Sequence, residues 1–338
     1  FIHAARSPKR TVPKWNQNLP MTATMVSPVI YLDLAGLSEN GENLFMDNKK
    51  FIDVNGINTR YYEKGEGPVM VLFNGGNFGS NDGADCALDW ALNFDGLADR
   101  YHVFAIDKIG QGYTDIPKDD GDYCMAAVVR HASATLDELG IRSAHLVGHS
   151  RGGYLTCRMT IDRPDQVATC TIVDSNTCAP GIGLNEIVLA NPPEPRLSAE
   201  SQRWVMEHYS YSPAHVTDEW INALVEVAQQ PQYQQAVRKM SGEGLRTTLF
   251  MPQLARDKIE MFAHIRDHGM DRPTQLIWGY NDPTATIEQG RALYRLIAAR
   301  ERRAQFNVFN QSGHFTYREH PAAFNACLHA FIEGTRGS

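Results

Sequence analysis

From residue 51 onward, short apolar runs alternate with longer segments whose apolar residues recur every three or four positions. Runs such as 68–73 and 167–173 have the length of buried strands, whereas the intervening segments have the spacing of amphipathic helices. This alternation is typical of a mostly parallel sheet covered by helices on both faces. The pattern predicts strands at 51–54, 57–62, 68–73, 102–106, 144–147, 167–173, 274–278 and 304–309, and helices at 84–97, 126–139, 151–161, 287–299 and 321–333.

The first two predicted strands are separated by Asn55-Gly56, a residue pair that favours the type I′ hairpin turn. A two-residue turn of this type joins antiparallel strands. We therefore expect the sheet to open with an antiparallel pair.

The alternation breaks at about residue 177, where Trp, Tyr, Met and Gln begin to recur at helical spacing around the Pro-rich segment 191–195. Strand-like runs resume only after residue 268. We interpret this stretch as a helical lid over the carboxyl edge of the sheet, where open α/β sheets keep their sites. The predicted organisation is an N-terminal arm of unassigned role at 1–45, a core formed by 46–176 and 269–338, and a cap at 177–268.

Composition and charge narrow the classes of partner that the protein is expected to bind. The chain has 338 residues, 43% of them apolar, and a formal net charge of -7. This charge disfavours general binding to nucleic acid or to anionic membranes, which select basic surfaces. No apolar run reaches the roughly 18 to 20 residues that span a bilayer, and no apolar segment of the secretory type follows the basic residues of the arm. We expect a soluble, cytoplasmic protein whose partner is a small molecule, with a homo-oligomer left open.

The six cysteines are widely spaced, without a CxxC pair or a nearby His cluster. Neither a zinc site nor a disulfide framework is indicated, so no metal is predicted. Met21 could be an alternative start, and Gly337-Ser338 resembles the remnant of a tag.

The strongest chemical signal is Gly148-His149-Ser150-Arg151-Gly152, which lies between a predicted strand and a predicted helix. A G-x-S-x-G sequence at a strand-to-helix turn is typical of a nucleophile elbow, in which the serine occupies a sharp, strained turn. The glycines are needed because Cβ atoms two residues on either side of the serine would collide. The alternative is an ordinary glycine-rich turn.

A serine nucleophile needs a base and an orienting carboxylate, in the chain order Ser, Asp or Glu, His. Asp282 follows the strand that ends at residue 278, and His314 follows the last predicted strand. Each could be an isolated loop residue, but all three sites follow strands of one sheet. Ser150, Asp282 and His314 are therefore the predicted triad. We expect His149 to pack beside the serine and His320 to begin the last helix.

Negative charge on a substrate carbonyl oxygen needs preorganised N–H donors. The backbone N–H of Arg151 is one candidate, and Gly76 or Asn77, in the glycine turn after the strand 68–73, supplies the second. That turn lacks the GxGxxG and GxxxxGKS spacings that hold phosphates, so no nucleotide cofactor is predicted.

Together these segments, with Asn74-Gly75-Gly76 and the turn at 107–112, resemble the α/β-hydrolase superfamily over roughly residues 51–333. The resemblance implies an α/β-hydrolase fold, with an eight-stranded, mostly parallel sheet and an inserted lid. Around Val216-Thr217-Asp218-Glu219 the chain looks like the lids of meta-cleavage product hydrolases, which cut C–C bonds in vinylogous diketones. That subfamily generally has Asn-Ser-Met at the elbow and carries a lid arginine for the substrate's carboxylate, for which Arg203, Arg238 and Arg246 are the candidates here.

We therefore expect a serine hydrolase that acts on a small, mostly apolar ester, lactone or cleavable diketone. Two alternatives stay open on the same scaffold: a non-catalytic ligand receptor, and a cofactor-free oxygenase or lyase. The residues predicted to line the pocket are His149, Trp204, Met206, Tyr209, Trp220 and Phe315.

Overall fold

The computed structural model describes Met46 and residues 49–336. The predicted arm, Met21 and Gly337-Ser338 lie outside the described residues. Eight strands form one sheet in the order β1-β2-β4-β3-β5-β6-β7-β8. The strands are β1 (Lys50–Val54), β2 (Ile57–Lys64), β3 (Val69–Phe73), β4 (His102–Ile106), β5 (Ala144–His149), β6 (Val167–Val173), β7 (Thr274–Gly279) and β8 (Gln305–Phe309).

Only the two pairs that involve β2 are antiparallel, and the other strands run parallel. The predicted hairpin is present: Asn55 and Gly56 have positive φ angles of 56° and 77°, as a type I′ turn requires. The predicted mostly parallel, eight-stranded sheet is thus confirmed.

Helices cover both faces of the sheet. A 3-10 turn (Ala87–Trp90) leads into α1 (Ala91–Ala98), and α2 (Met125–Glu138) and α3 (Arg151–Asp162) follow. The prediction of one helix over 84–97 was wrong at its start. The Asp89 side chain accepts from Cys86 N, and the Asp107 side chain accepts from Ala87 N, so side chains satisfy the first donors and helical geometry begins only at residue 87.

Between β6 and β7 every regular element is helical. The helices are α4 (Asn185–Val188), α5 (Ala199–Tyr209), α6 (Asp218–Ala228), α7 (Pro231–Val237) and α8 (Met251–His268), with π-helical turns at Arg238–Gly242 and Arg246–Phe250. After β7, α9 (Ile287–Ala298), α10 (Thr316–Glu319) and α11 (Pro321–Thr335) complete the described chain. We call the segment 177–268 the inserted helices.

The sheet separates two hydrophobic layers. Neighbouring residues on one strand point to opposite faces, so Leu146 packs in one apolar cluster and Val147 in the other. Both side chains are fully buried. The layers fix β5 from both sides and therefore fix the turn that follows it.

Candidate active site

Ser150 lies in the sharp turn between β5 and α3, with φ 52° and ψ -117°. This left-handed conformation is costly for a non-glycine residue. The turn is held because Ser150 N donates to the carbonyl oxygen of Val173, at 2.8 Å. A Cβ on Gly148 would come within 2.0 Å of the Gly152 oxygen, and one on Gly152 within 2.5 Å of the Phe73 oxygen. Both glycines of the elbow are therefore sterically required.

His314 and Asp282 meet beside this turn. His314 Nδ1 lies 2.7 Å from Asp282 Oδ2, and both side chains are buried. The other carboxylate oxygen, Oδ1, accepts from the backbone N–H groups of Thr284 and Ala285 and from the Thr284 hydroxyl, at 2.7 to 3.0 Å. The carboxylate is thus held on one oxygen and available to the imidazole on the other.

The structure brings Ser150 and His314 to the walls of one cavity of about 60 Å³. The Ser150 hydroxyl forms no hydrogen bond with any residue in the described part of the chain. Hydrogen bonds between a nucleophile and its base are commonly loose without substrate. The arrangement places a serine hydroxyl and an oriented imidazole at the walls of one small cavity.

Three backbone N–H groups at this site are free to bind an anion. Among the described residues, Gly76 N, Asn77 N and Arg151 N have no hydrogen-bond acceptor. Arg151 is the first residue of α3, where the N–H has no acceptor within the helix. Gly76 has a φ of 65°, and a Cβ there would come within 2.0 Å of Asp85 Oδ2. The turn that carries Gly76 therefore needs glycine at that position.

His149 contacts both the backbone and the ring of His314. Its Nε2 lies 2.8 Å from the His314 carbonyl oxygen, and its ring centroid lies 4.7 Å from that of His314. Burial lowers the pKa of His149 well below its ordinary value, helped by the charge of His314. His149 is therefore a neutral imidazole whose Nε2–H donates to the backbone of His314.

Not every residue predicted for the pocket lines it. His149, Met206, Tyr209 and Phe315 do line the cavity at Ser150. Trp204 and Trp220 do not, and that part of the prediction was wrong. The Trp204 ring stacks on the His208 ring, with 3.7 Å between the ring centroids.

Two polar contacts account for the position of the Trp220 indole. Its N–H donates to Asp89 Oδ1 at 3.0 Å, and the Arg318 guanidinium lies 3.7 Å from its ring centroid. A buried indole N–H needs an acceptor. The carboxylate of Asp89 thus decides where Trp220 lies.

Of the three arginines considered for a substrate carboxylate, only Arg246 lines this cavity, together with the elbow residue Arg151. Arg203 pairs with Asp218, and Arg238 is exposed to solvent. Arg246 lies 3.2 Å from Glu186. Arg151 makes no ion pair with a described residue, and its buried Nε has no acceptor. The carboxylates of Asp85 and Asp82 act on the Arg151 guanidinium electrostatically, from beyond ion-pair distance.

Sequence reasoning missed a group of charged residues behind the glycine turn. Lys108 is buried and donates to the carbonyl oxygens of Gly75 and Gly76. Asp85 lines the cavity, and burial raises the pKa of its carboxyl against the opposing charges of Lys108, Arg151 and His314. Lys108 follows a strand at the same sheet edge as the predicted triad, and that position was the available signal.

Two further carboxylates that the prediction did not include tie the loops together. Asp174 follows β6, and its side chain accepts from Gly279 N at 2.7 Å and from Thr316 N at 3.3 Å. Glu319 accepts from Gly313 N at 2.7 Å and from Tyr211 N at 3.0 Å. Asp174 thereby joins the loops of Asp282 and His314, and Glu319 joins the His314 loop to the inserted helices.

Within the described residues, no group of three or more His, Cys, Asp or Glu side chains is placed to hold a metal ion. None of the helices described here is both long enough and apolar enough to cross a bilayer.

Known proteins resemble this chain along most of its length. Residues 68–321 match the α/β-hydrolase fold family. A 2-hydroxy-6-oxononadienedioate/2-hydroxy-6-oxononatrienedioate hydrolase of a Pseudomonas species is 28% identical over 88% of this chain and 99% of its own length. The 2-hydroxymuconate semialdehyde hydrolase of Pseudomonas sp. strain CF600 is 29% identical over 82% of this chain and 91% of its own.

Among solved structures, the meta-cleavage product hydrolase of Pseudomonas fluorescens IP01, complexed with acetates, superposes with a TM-score of 0.69 at 25% identity. The match covers 85% of this chain and 98% of that one. The predicted resemblance to meta-cleavage product hydrolases is confirmed. Because the family match spans most of the chain and the relatives agree with it along nearly their full length, the chain belongs to the α/β-hydrolase fold family.

Proposed function

We propose that this protein is a serine hydrolase that cleaves a C–C bond in a vinylogous diketone formed by aromatic ring fission. The observation that carries the proposal is the 2.7 Å hydrogen bond between His314 Nδ1 and Asp282 Oδ2, beside the elbow serine. Because Nδ1–H donates to the carboxylate, Nε2 keeps the lone pair that can take the Ser150 proton.

In this proposal Ser150 Oγ attacks the ketone carbon and His314 Nε2 takes the hydroxyl proton. The carbonyl oxygen becomes an oxyanion, bound by Arg151 N–H and by the N–H of Gly76 or Asn77. The C–C bond then breaks, and its electron pair is delocalised into the conjugated enolate. The leaving carbon takes the proton that His314 holds and departs as the enol product, and water then hydrolyses the acyl-serine ester with His314 as base. Ser150 is regenerated, and a carboxylic acid is released.

Three facts support a C–C bond as the target. The full-length relatives are named for hydrolases of ring-fission dienoates and semialdehydes. The substrates in their names include dienedioates, which are anionic. Arg151 and Arg246 offer cationic groups at the cavity wall, and the side chain of Arg151 has no ionic partner among the described residues. We assign these two guanidinium groups to a substrate carboxylate.

The space around the site suits an elongated substrate. The volume at Ser150 is about 60 Å³, too small for a whole dienoate. Arg151, Asn185 and Arg246 also border a cavity of about 430 Å³, whose walls include Met251, Leu254 and Phe262. A substrate that extends past the two arginines would lie in this apolar space.

The test is a substrate panel assayed with the pure protein: 2-hydroxy-6-oxo-2,4-heptadienoate, 2-hydroxymuconate semialdehyde, and p-nitrophenyl esters and lactones. We expect fast cleavage of the dienoates, slow turnover of the esters, and loss of both in Ser150→Ala. Fast ester or lactone turnover with inert dienoates would move the proposal to C–O cleavage.

Two other results would reject hydrolysis altogether. A wild-type Ser150 that resists fluorophosphonate labelling while the protein binds the dienoate would favour a receptor. Consumption of O₂ with a heteroaromatic substrate would favour an oxygenase on the same scaffold.

A further inference from the structure

The buried side chains of Lys108 and Gln111 hold the carbonyl ends of the two peptide units whose N–H groups face the predicted oxyanion. From this juxtaposition we infer that Lys108, assisted by Gln111, is a positioning residue for the oxyanion hole. It fixes and polarises the turn that carries Gly76 and Asn77. The inference rests on the proposed function, because it requires Ser150 to attack a carbonyl.

The contacts reach both peptide units. Lys108 Nζ lies 2.8 Å from Gly75 O and 3.1 Å from Gly76 O. Gln111 Nε2 lies 3.1 Å from Gly75 O. The Gly75 carbonyl belongs to the same planar unit as the Gly76 N–H, and the Gly76 carbonyl to the same unit as the Asn77 N–H. In a trans peptide these two groups point in opposite directions. An ammonium on the carbonyl side therefore aims both N–H groups toward the far side.

The turn needs such a restraint because its two glycines supply no side-chain contacts, and Asn74 supplies one hydrogen bond only, from Nδ2 to Gly75 O at 3.1 Å. Gly75 and Gly76 have no side chains that could pack, and glycine has the largest conformational freedom to lose on folding. An N–H donor helps catalysis only when it is fixed near the position that the oxyanion will take. Lys108 and Gln111 replace the missing side-chain contacts from outside the turn.

The charge on Lys108 adds a second effect. A hydrogen bond to a carbonyl polarises its peptide unit and strengthens the bond that the N–H donates, by about 10–30% per bond. A buried ammonium is also costly unless it is compensated. Burial lowers the pKa of Lys108 to about 7, whereas the two carbonyl oxygens and the nearby carboxylate of Asp85 favour its charged form. The fold therefore places an energetically costly buried ammonium at the peptide units of the turn.

A matched control lies at the amino edge of the sheet, opposite the carboxyl edge at which Ser150 lies. Arg272 Nε donates to the carbonyl oxygens of Pro164 and Val167, each at 2.8 Å. Like Lys108, it is a cationic side chain that holds two backbone carbonyls, but it precedes β7 at the amino edge, far from Ser150. Arg272→Met therefore removes a cation from two backbone carbonyls without touching the turn.

The experiment compares wild type, Lys108→Met, Gln111→Leu and Arg272→Met. The first readout is the rate at which a fluorophosphonate labels Ser150, which needs no natural substrate. The second is kcat and KM for 2-hydroxy-6-oxo-2,4-heptadienoate. The third is affinity for a trifluoromethyl ketone, whose hemiketal oxygen occupies the oxyanion hole, measured against the corresponding alcohol.

We expect Lys108→Met to lower the labelling rate and kcat by about 10- to 100-fold, somewhat less than the loss of a whole oxyanion donor. KM should change less than threefold, and ketone affinity should fall far more than alcohol affinity. Gln111→Leu should give a smaller loss of the same kind, and it serves as the test if Lys108→Met does not fold. Arg272→Met should lower only thermal stability.

Equal losses in Lys108→Met and Arg272→Met, or parallel losses of ketone and alcohol affinity, would overturn the inference. If wild type labels but leaves the dienoate intact, the C–C proposal fails, whereas slower labelling of Lys108→Met still supports the positioning role. If a fluorophosphonate never labels Ser150 in the wild-type protein, both the C–C proposal and the positioning role of Lys108 are contradicted.

Discussion

His149 and His314 are joined by a hydrogen bond from the imidazole Nε2 of the first to the backbone carbonyl of the second, at 2.8 Å. The variable residue of the elbow thus holds the loop that carries the predicted base. Since the elbow also fixes Ser150, one dipeptide sets the position of both groups.

We expect His149→Ala to lower kcat by about 10-fold or more, because a base displaced by about 1 Å can cost up to 10²-fold in rate. KM should change little if the substrate does not bind His149 directly. Steady-state kinetics with the dienoate checks this. His145→Ala is the control, because His145 is also a buried histidine of β5, but its Nδ1 bonds the Thr169 hydroxyl near the amino end of that strand. A normal kcat in His149→Ala would contradict the positioning role.

Arg151→Met should raise KM for the anionic dienoate by about 10- to 100-fold, since a hydrogen bond to a charged group is worth about 1.5–3 kcal/mol. The backbone N–H of residue 151 is kept, so the methyl ester of the same substrate should be cleaved at a nearly unchanged rate. The comparison of acid and ester isolates the charge. Arg158→Met on the same helix is the control, because Arg158 pairs with Asp162 at the surface. Equal losses for acid and ester would show that Arg151 does not read the carboxylate.

Glu319→Gln tests the tie between the inserted helices and the His314 loop. The carboxylate accepts from the backbone N–H groups of Gly313, Tyr211 and Ser212. An amide keeps one acceptor oxygen and replaces the other by a donor, which leaves at least one N–H unpaired. We expect a loss of about 1–3 kcal/mol in unfolding free energy, measured by urea denaturation. Glu288→Gln, in an exposed 3.6 Å pair with Arg291, should change stability by less than about 0.5 kcal/mol. Equal effects of the two substitutions would refute the tie.

The pH dependence of stability should reflect His131. Burial lowers its pKa to about 4, from an ordinary value near 6.5. Between these two pH values the unfolded chain binds more protons than the folded one, so stability rises with pH and is fully present above about pH 6.5. On acidification from pH 6.5 to 4, we expect this residue to cost up to about 3 kcal/mol.

The check is the slope of unfolding free energy against pH in wild type and His131→Asn. The variant should lose less stability than wild type as the pH falls through this window. His208→Asn, at an exposed site, should retain the wild-type slope. Parallel slopes for wild type and His131→Asn would refute the prediction.

Much of the fold could be predicted because strands and helices leave local periodic patterns. The continuous apolar run of β6 and the helical spacing of α2 need no knowledge of their neighbours. The start of the 3-10 turn at Ala87 could not be predicted in this way. It depends on Asp107, which lies 20 residues downstream and satisfies the N–H of Ala87 only in the folded chain.

The sequence by itself determined that β5 ends in a serine elbow and that Asp282 and His314 follow strands of the same sheet, because parallel strands bring their carboxyl ends to one edge. Only the tertiary structure decided which other side chains reach that edge. Trp220 turns to Asp89, Arg246 lines the cavity while Arg203 and Arg238 do not, and Lys108 enters behind the glycine turn. The physical reason is that buried polar groups must find partners, and those partners come from segments whose proximity no local pattern encodes.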